Sequence, residues 1–266
     1  MKIFALIGTP LSGSLSPCLM KAAYNGRYRY DLLDSPDFDL VWGRFLKDYN
    51  GINVTAPFKE RAFHEVLRSG KVSPNAEISG AVNLVVKTPG GLYGHNCDVD
   101  GILSAITPAV NALGTAGKKP RALVVGAGGA GRAAITAAFI AGMDVTLVNR
   151  TYERATALSE EMEQLWFSVN PMEDLRECIR GADLVIYTLP CPLAGLEKYD
   201  FQGKWVLEAN YKTPCLKDFF TGKEKSGGYI SGLEWLLGQA AAGYSLFTGE
   251  EPDVTAMRSQ LKTRRA

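Results

Sequence analysis

The sequence is short of the residues that build metal centres and catalytic triads. Its 266 residues include two histidines, His64 and His95, so a histidine-based metal site or a Ser-His-Asp triad has little to work with. The five cysteines are odd in number and scattered, and none forms a C-x-x-C pair. We therefore predict free thiols in a reducing compartment, with neither a disulfide framework nor a bound metal.

A strong net charge and long apolar runs are also missing. Lysine and arginine total 29 against 28 aspartates and glutamates, so no general field attracts nucleic acid or an anionic membrane. No apolar run approaches the length of a membrane span, and residues 1–7 are too brief for a signal peptide. We therefore expect a protein that binds a small molecule and neither nucleic acid nor a membrane. The predicted free thiols favour the cytoplasm, and the chain is expected to be a monomer or a homodimer.

The order of predicted elements indicates an α/β protein. With 46% hydrophobic residues, the chain can bury the core of one large domain or two modest ones. Strands predicted at 2–8, 29–33 and 51–55 alternate with helices, which implies parallel pairing. The first helix is predicted to begin at Pro17 with Ser16 as its cap.

A predicted hairpin then interrupts the alternation and marks the edge of a first domain. Its strands cover 81–87 and 92–94, and a helix from Asp98 towards Leu113 follows it. Residues 114–120 are polar and contain glycine, which suits a linker. Beyond them we predict strands at 121–125, 143–149, 182–187 and 205–209, a short piece near Trp166, and helices that include one from Met172 and two at 232–247 and 252–263.

A glycine-rich turn lies between the strand at Arg121 and an alanine-rich helix. Gly126, Gly128 and Gly131 have the G-x-G-x-x-G spacing of a dinucleotide-binding turn. In such a turn the first glycine permits the bend, the second lets the backbone approach a pyrophosphate, and the third lets helix and strand pack closely. The alternative is a plain connection that binds no ligand.

The end of the next strand favours NADP over NAD. The chain there reads Asn149-Arg150-Thr151, and Arg154 follows one helical turn later. An NAD site usually has a carboxylate at this position for the ribose hydroxyls, whereas arginine accommodates a 2′-phosphate. The alternative is that Thr151 merely caps the helix and both arginines are solvated.

Several polar residues in the first hundred positions could bind a substrate. Ser14 and Ser16 would place two hydroxyls on one side of an extended loop beside a helix N-terminus, which suits a carboxylate. Asn53, Thr55 and Asn83 follow or end strands, where open parallel sheets bind ligands. The alternative for the two serines is a helix cap and ordinary loop polarity.

Lys59 and Asp98 are the candidates for proton transfer. Lys59 is predicted in the first turn of a helix, where the positive end of the helix dipole disfavours its charged form. Asp98 could be only the cap of the helix that follows it. In a common cleft, a lysine and an aspartate would make a proton-transfer pair.

These motifs together resemble the shikimate dehydrogenase family. Its patterns Ser-x-Ser-Pro, Asn-Val-Thr-x-Pro-x-Lys, Gly-Ala-x-Asn and Asn-x-Asp-x-x-Gly appear in the same order over 14–17, 53–59, 80–83 and 96–101. The resemblance continues through Gly126–Gly131, the segment 149–154, and the late Tyr211, Gly232 and Gln239, so it covers nearly the whole chain.

The resemblance implies an α/β fold of two domains. An N-terminal α/β substrate domain, residues 1–97, would be completed by the helices within 232–266, and residues 98–231 would form a Rossmann-type, doubly wound dinucleotide-binding domain. The implied reaction is the NADPH-dependent, reversible reduction of 3-dehydroshikimate to shikimate, a step of chorismate and aromatic amino-acid biosynthesis.

The resemblance also implies roles for individual residues. Lys59 and Asp98 would be the catalytic pair. The implied substrate-binding residues are Ser14, Ser16, Thr55, Asn83, Asp98, Tyr211 and Gln239. The implied cofactor-binding residues are Gly126, Ala127, Gly128, Gly129, Ala130, Gly131, Asn149, Arg150, Thr151, Arg154 and Gly232.

The chain departs from the family pattern at a few positions, and two other functions stay open. The departures are Gly13, Cys97, Tyr187, Glu208 and Trp235, where the family usually has other residues, and they bear on cofactor affinity and rate. One alternative is an NAD-preferring quinate/shikimate dehydrogenase. The other is a dinucleotide-responsive binding protein without catalysis, which would need the glycine turn but no proton donor.

Overall fold

The chain divides by its internal contacts into two units. The computed structural model describes residues 1–114, 118–220 and 227–263. One unit comprises Met1–Gly101 and Leu236–Ala266, and the other comprises Ile102–Trp235. The sequence places the boundaries after residues 97 and 231, whereas the contacts place them inside two helices. The linker predicted at 114–120 lies partly outside the described residues.

The N-terminal unit is built on a six-stranded mixed sheet. Its strands are β1 (Ile3–Gly8), β2 (Arg29–Asp34), β3 (Gly51–Val54), β4 (Gly70–Val72), β5 (Leu84–Thr88) and β6 (Gly91–His95). Its helices are α1 (Ser16–Ala23), α2 (Phe38–Asp48), α3 (Lys59–Ser69), α4 (Pro74–Ser79), the start of α5 (Cys97–Leu113), most of α10 (Gly232–Thr248), and α11 (Val254–Thr263). The strand order is β2-β1-β3-β5-β6-β4.

The pairing within this sheet follows from how the strands are connected. β1 pairs in parallel with β2 and β3, because helices join these strands. β5 and β6 form the predicted antiparallel hairpin, and β5 is also antiparallel to β3. The core on one face is aliphatic and aromatic, with Phe38, Trp42, Phe45 and Phe58 packed against β1 and β3. This sheet brings the carboxyl end of β3 next to the segment that precedes β5.

The C-terminal unit is a parallel, doubly wound sheet. Its strands are β7 (Arg121–Val125), β8 (Asp144–Val148), β9 (Ser168–Asn170), β10 (Leu184–Tyr187), β11 (Trp205–Glu208) and β12 (Tyr229–Ser231). Its helices include α6 (Gly129–Ile140), α7 (Tyr152–Glu161), α8 (Leu175–Gly181) and α9 (Lys217–Phe220). The strand order is β12-β11-β10-β7-β8-β9, and every pair is parallel. The order reverses between β7 and β10, which is the point where such sheets bind their ligands.

The alanines of α6 explain how its helix lies so close to the sheet. Residues Ala133 to Ala138 are all fully buried, because small side chains let the helix pack directly on the apolar strands β7 and β8. The predicted α/β class with a doubly wound second domain is confirmed. No helix among the described residues combines the length and apolarity that a membrane crossing requires.

Several local predictions differ from the structure. The helix predicted from Met172 begins at Leu175, after a 3-10 turn. The strand predicted at 81–87 runs from Leu84 to Thr88. The strands β4 and β12 and the helix α4 have no counterpart in the prediction, because segments of three to six residues carry too little periodicity to be recognised.

Glu208 is a fully buried carboxylate whose loss should destabilise the C-terminal unit. It accepts hydrogen bonds from the backbone N–H of Cys215 at 2.6 Å, from that of Leu216 at 3.1 Å and from the Tyr229 hydroxyl at 2.8 Å. We expect Glu208→Ala to lower the free energy of unfolding by about 1–3 kcal/mol for each donor left buried without an acceptor. Urea unfolding of the variant and the parent measures this difference in the free energy of unfolding. Glu208→Gln, which keeps an acceptor oxygen, should lose less, and an alanine variant as stable as the parent would contradict the role.

Candidate functional site

Lys59 and Asp98 form an ion pair in the N-terminal unit. Lys59 is the first residue of α3, as predicted, and Asp98 lies in the first turn of α5. The Lys59 Nζ is 2.5 Å from the Asp98 Oδ2, and the two side chains are 21% and 6% exposed. The pair neutralises a carboxylate whose side chain is almost fully buried, while the lysine side chain keeps part of its surface exposed. The site thus contains a proton donor beside a group that can orient it.

Buried hydrogen bonds hold Asp98 in place. Its backbone N–H donates to the Oδ1 of Asn96 at 3.1 Å, and the Nδ2 of Asn96 donates to the Oγ of Ser79 at 2.8 Å. Both partners are at most 1% exposed. These bonds connect the start of α5 to the end of α4. The sequence analysis assigned no role to Asn96 or Ser79. Ser79 becomes a neighbour of Asn96 only through the fold.

A row of polar side chains runs across the same unit. The Tyr30 hydroxyl donates to the Oδ1 of Asn53 at 2.8 Å, and the Nδ2 of Asn53 donates to the backbone oxygen of Asn83 at 3.3 Å. The Nδ2 of Asn83 in turn lies 3.5 Å from the Oε1 of Gln239, which belongs to α10. The structure therefore brings Asn83 and Gln239 together from positions 156 residues apart.

Tyr30 connects this row to the serine loop, and sequence reasoning missed it. Its hydroxyl interacts with the side chain of Ser16, and burial raises its pKa far above the ordinary value. The neutral phenol can therefore act as a hydrogen-bond donor and acceptor at any physiological pH. The strand predicted at 29–33 includes Tyr30, but its nearness to Asn53 follows only from the pairing of β1 with β2 and with β3.

The serine loop differs from its prediction in two ways. Ser16 is the first residue of α1 and makes no capping hydrogen bond, so the prediction of Ser16 as a cap before Pro17 is wrong. Leu15 has helical backbone angles (φ −86°, ψ −8°), so the loop is not extended. Instead the backbone N–H of Ser16 donates to the Ser14 Oγ at 3.3 Å. Both serines and Thr55, which follows β3, are partly exposed.

In the C-terminal unit, internal packing explains two of the three motif glycines. Gly126 has φ +112°, and a Cβ there would lie 2.5 Å from the Thr188 Oγ1. A Cβ on Gly131 would lie 2.0 Å from the backbone oxygen of Gly126. Gly128 has an ordinary φ of −92°, and among the described residues a Cβ there would meet no atom within 4 Å. Nothing inside the described protein therefore requires glycine at 128, and open space lies in front of it, at the N-terminus of α6.

The end of β8 combines one buried amide with two exposed arginines. Asn149 is buried, and its side chain accepts from the backbone N–H of Ala127 and donates to the oxygen of Thr151. Thr151 stands before α7 but makes no side-chain capping bond. Arg150 and Arg154 are exposed, and no hydrogen bond or ion pair holds either of them within the described parts of the chain. The amide positions the strand end, and the guanidiniums stay available for an anion.

Tyr211 lies at a cavity of about 250 Å³ in the C-terminal unit. The cavity is at the carboxyl ends of β10 and β11. Its lining residues are Thr188, Leu189, Pro190, Ala209, Asn210, Tyr211 and Lys212. Gly232 begins α10, and a Cβ there would lie 2.3 Å from the Ala209 oxygen, so close packing requires this glycine.

Comparison with known families accounts for both units. Residues 6–85 match the model of the shikimate dehydrogenase substrate binding domain. Residues 109–203 match shikimate / quinate 5-dehydrogenase, and residues 232–262 match the shikimate 5′-dehydrogenase C-terminal domain. A shikimate dehydrogenase (NADP(+)) of Maricaulis maris is 32% identical over 97% of this chain and 95% of its own length. The chain belongs to the shikimate dehydrogenase family.

Other members of the shikimate dehydrogenase family agree over the full length. A shikimate dehydrogenase (NADP(+)) of Thermus thermophilus is 35% identical over 96% of this chain and 95% of its own. The crystal structure of the enzyme from that organism in complex with shikimate superimposes with a TM-score of 0.80 at 33% identity, covering 99% of both chains. A quinate dehydrogenase from Corynebacterium glutamicum in complex with NAD has a TM-score of 0.83 at 26% identity, covering 98% of this chain and 99% of that chain.

Proposed function

We propose that this chain is a shikimate dehydrogenase, which catalyses the reversible, NADPH-dependent reduction of 3-dehydroshikimate to shikimate. The observation that carries the proposal is the Lys59–Asp98 ion pair at 2.5 Å. The relatives that match over nearly the whole chain are named shikimate dehydrogenase (NADP(+)). A binding protein without catalysis would need the glycine turn, but it would have no use for a partly exposed lysine held by a buried carboxylate. The odd number and scattered positions of the five cysteines support a cytosolic location.

In the proposed mechanism Lys59 transfers a proton, and Asp98 positions the Lys59 amine and the substrate. NADPH, when bound, supplies the hydride for the carbonyl carbon. Lys59 donates a proton from Nζ to the oxygen on which negative charge develops, and it accepts that proton in the reverse direction. Asp98 holds the Nζ and accepts a hydrogen bond from a substrate hydroxyl. Because Asp98 is itself tied to Asn96, the donor meets the substrate in one orientation.

The substrate-binding residues that we propose belong to three groups. Ser14 and Ser16 bind the substrate carboxylate through their hydroxyls. Thr55, Asn83 and Gln239 bind ring hydroxyls, and the contact between Asn83 and Gln239 supports a joint role. Tyr211, which lines the cavity of the C-terminal unit, is the substrate-binding residue that we propose in that unit.

The residues of the C-terminal unit fit a dinucleotide with a 2′-phosphate. The segment Gly126–Gly131 binds the pyrophosphate through backbone N–H groups at the start of α6. Arg150, Thr151 and Arg154 bind the 2′-phosphate, since planar guanidiniums pair with phosphate oxygens. Asn149 connects the end of β8 to the glycine turn through its hydrogen bonds with Ala127 and Thr151. Gly232 lets the start of α10 approach Ala209.

Gly128 and Gly131 provide a matched test of the proposed cofactor turn. We expect Gly128→Ala to leave the free energy of unfolding within about 0.5 kcal/mol of the parent, because the added methyl group has room, yet to weaken NADP(H) binding. Gly131→Ala should destabilise the fold itself, because its methyl group would collide with a backbone oxygen. Thermal unfolding and a cofactor titration separate the two effects. Unchanged NADP affinity in Gly128→Ala would contradict the proposal that the open space in front of Gly128 receives the cofactor.

One observation favours a second candidate, an NAD-preferring quinate/shikimate dehydrogenase. The quinate dehydrogenase with NAD is a structural neighbour with a TM-score of 0.83. The two exposed arginines after β8, and the lack of a carboxylate at the usual position for the ribose, speak for NADP.

Initial rates decide between these functions. Cofactor reduction is measured with shikimate and with quinate, each against NADP and NAD, at mildly alkaline pH. The proposal requires strong activity with shikimate and NADP only. Comparable rates with quinate or NAD would favour the second candidate, and no activity in any pairing would favour the binding protein.

A further inference from the structure

A single tyrosine hydroxyl bridges two strands of the N-terminal sheet that are not neighbours. Tyr30 of β2 pairs with Phe4 of β1, and Asn53 of β3 pairs with Leu6 of the same strand. Because Phe4 and Leu6 are two residues apart, the side chains of Tyr30 and Asn53 lie on one face of the sheet. β1 separates their backbones by roughly 10 Å. A side chain as long as tyrosine spans this gap, and its hydroxyl lies 2.8 Å from the Asn53 Oδ1.

The number of protons fixes the direction of each hydrogen bond at this hydroxyl. Tyr30 has one hydroxyl proton, and it donates this proton to Asn53. The hydrogen bond between Tyr30 and the side chain of Ser16 must then use a lone pair of the phenol oxygen, so the Ser16 hydroxyl is the donor. The Tyr30 hydroxyl therefore orients two side chains at once, one at the start of α1 and one on β3.

Asn53 extends this order to residues that we place at the substrate. Its Oδ1 is occupied by Tyr30, which turns its Nδ2 towards the backbone oxygen of Asn83 at 3.3 Å. The Oδ1 of Asn83 accepts from the backbone N–H of Cys97 at 2.7 Å, and Asp98 is the next residue. The Tyr30 hydroxyl thus lies between the serine loop and the side chains to which we assign the ring hydroxyls.

We propose that Tyr30 is a positioning residue that holds the Ser16 hydroxyl and Asn83 at the separation required by a substrate with both a carboxylate and ring hydroxyls. This inference rests on the proposed function, which assigns the carboxylate to Ser16 and a ring hydroxyl to Asn83. When the carboxylate binds, the Ser16 proton passes from the phenol oxygen to a charged acceptor, which forms the stronger hydrogen bond. Because Ser16 and Asn53 are ordered before the substrate arrives, binding loses less conformational entropy.

This role concerns substrate binding and not proton transfer. Asp98 is held through Asn96 and Ser79, and Lys59 is held by Asp98. The proton-transfer pair therefore has supports of its own. Loss of the Tyr30 hydroxyl should weaken the binding of substrate and leave the chemical step nearly unchanged, so the effect belongs in KM and not in kcat.

The test replaces Tyr30 with phenylalanine, which keeps the ring and removes the hydroxyl. Calorimetry with the full-length protein gives the Kd of shikimate, and steady-state rates with NADP give KM and kcat. We expect Kd and KM to rise about 3- to 10-fold, the range for ordering a side chain on binding, while kcat and NADP affinity stay nearly unchanged. Tyr49→Phe is the matched control. The Tyr49 hydroxyl donates to the Oδ2 of Asp31 on β2 at 2.9 Å, outside the contacts described above, and its loss should change none of these constants.

A double-mutant cycle shows whether Tyr30 acts through Ser16. In the Ser16→Ala background the donor to the phenol oxygen is already gone. Tyr30→Phe should therefore raise the Kd of shikimate by a smaller factor in that background than in the parent. Equal factors in the two backgrounds would contradict the link to Ser16.

The proposal fails if Tyr30→Phe binds shikimate as tightly as the parent, or if Tyr49→Phe weakens binding to the same extent. Circular dichroism checks the fold of each variant. Should Tyr30→Phe not fold, Asn53→Ala decides, because unchanged shikimate affinity without the acceptor of the Tyr30 hydroxyl is incompatible with the proposal. A parent protein that binds shikimate without oxidising it would refute the dehydrogenase function and leave the comparison of affinities valid. A parent that does not bind shikimate would refute both.

Discussion

Replacing Lys59 with alanine should lower the turnover number by about 10²- to 10⁴-fold, the range that a positioned general acid contributes. NADP(H) affinity should stay nearly unchanged, because the glycine turn and the arginines belong to the other unit. Steady-state rates with shikimate and a separate fluorescence titration with NADPH measure the two quantities.

The controls for Lys59 separate proton transfer from charge and structure. Lys71→Ala removes an exposed lysine of the same unit and should leave turnover intact. Lys59→Arg keeps the positive charge and can still pair with Asp98, but a guanidinium does not release its proton at these pH values. Turnover should therefore stay low in Lys59→Arg. An unchanged turnover number in Lys59→Ala would refute the proposed role of Lys59. Full activity of Lys59→Arg would show that the residue contributes charge or structure and not proton transfer.

Replacing Arg150 with aspartate should weaken the binding of NADPH about 10- to 100-fold and barely change that of NADH. Hydrogen bonds to charged groups contribute about 1.5–3 kcal/mol each, and the new carboxylate would also repel a 2′-phosphate while it can accept from ribose hydroxyls. The exposed position of Arg150 after β8 means that the fold should not suffer. Titration of both reduced cofactors gives the ratio.

Arg180 provides the matched control for this substitution. It is an exposed arginine of the same unit that pairs with Glu177 on α8, and Arg180→Asp should weaken neither cofactor. Equal losses for NADPH and NADH in Arg150→Asp would contradict the assignment of a 2′-phosphate site. Losses in both variants would point to general electrostatics instead.

Lys59 and Asp98 were recognisable as candidates because each belongs to a compact local motif. Asn-Val-Thr-x-Pro-x-Lys places Lys59 at the start of α3 after β3, and Asn-x-Asp places Asp98 in the first turn of α5 after β6. Tyr30 was not predictable, since a tyrosine on a short strand has no local signal and gains its role from pairing with neighbouring strands. Ser16 was mispredicted for a related reason. A serine before proline is typical of a helix cap, but here the helix includes the serine itself.

The glycine turn, the two arginines after β8 and the alternation of strands and helices were determined by the sequence alone, because each is a local pattern of spacing and residue type. Only the tertiary structure decided which distant residues share a site. The 2.5 Å contact of Lys59 with Asp98 and the contact of Asn83 with Gln239 both arise from strand order and helix packing. No local pattern encodes these contacts, because burial of the apolar faces of both sheets decides which strand and helix ends become neighbours.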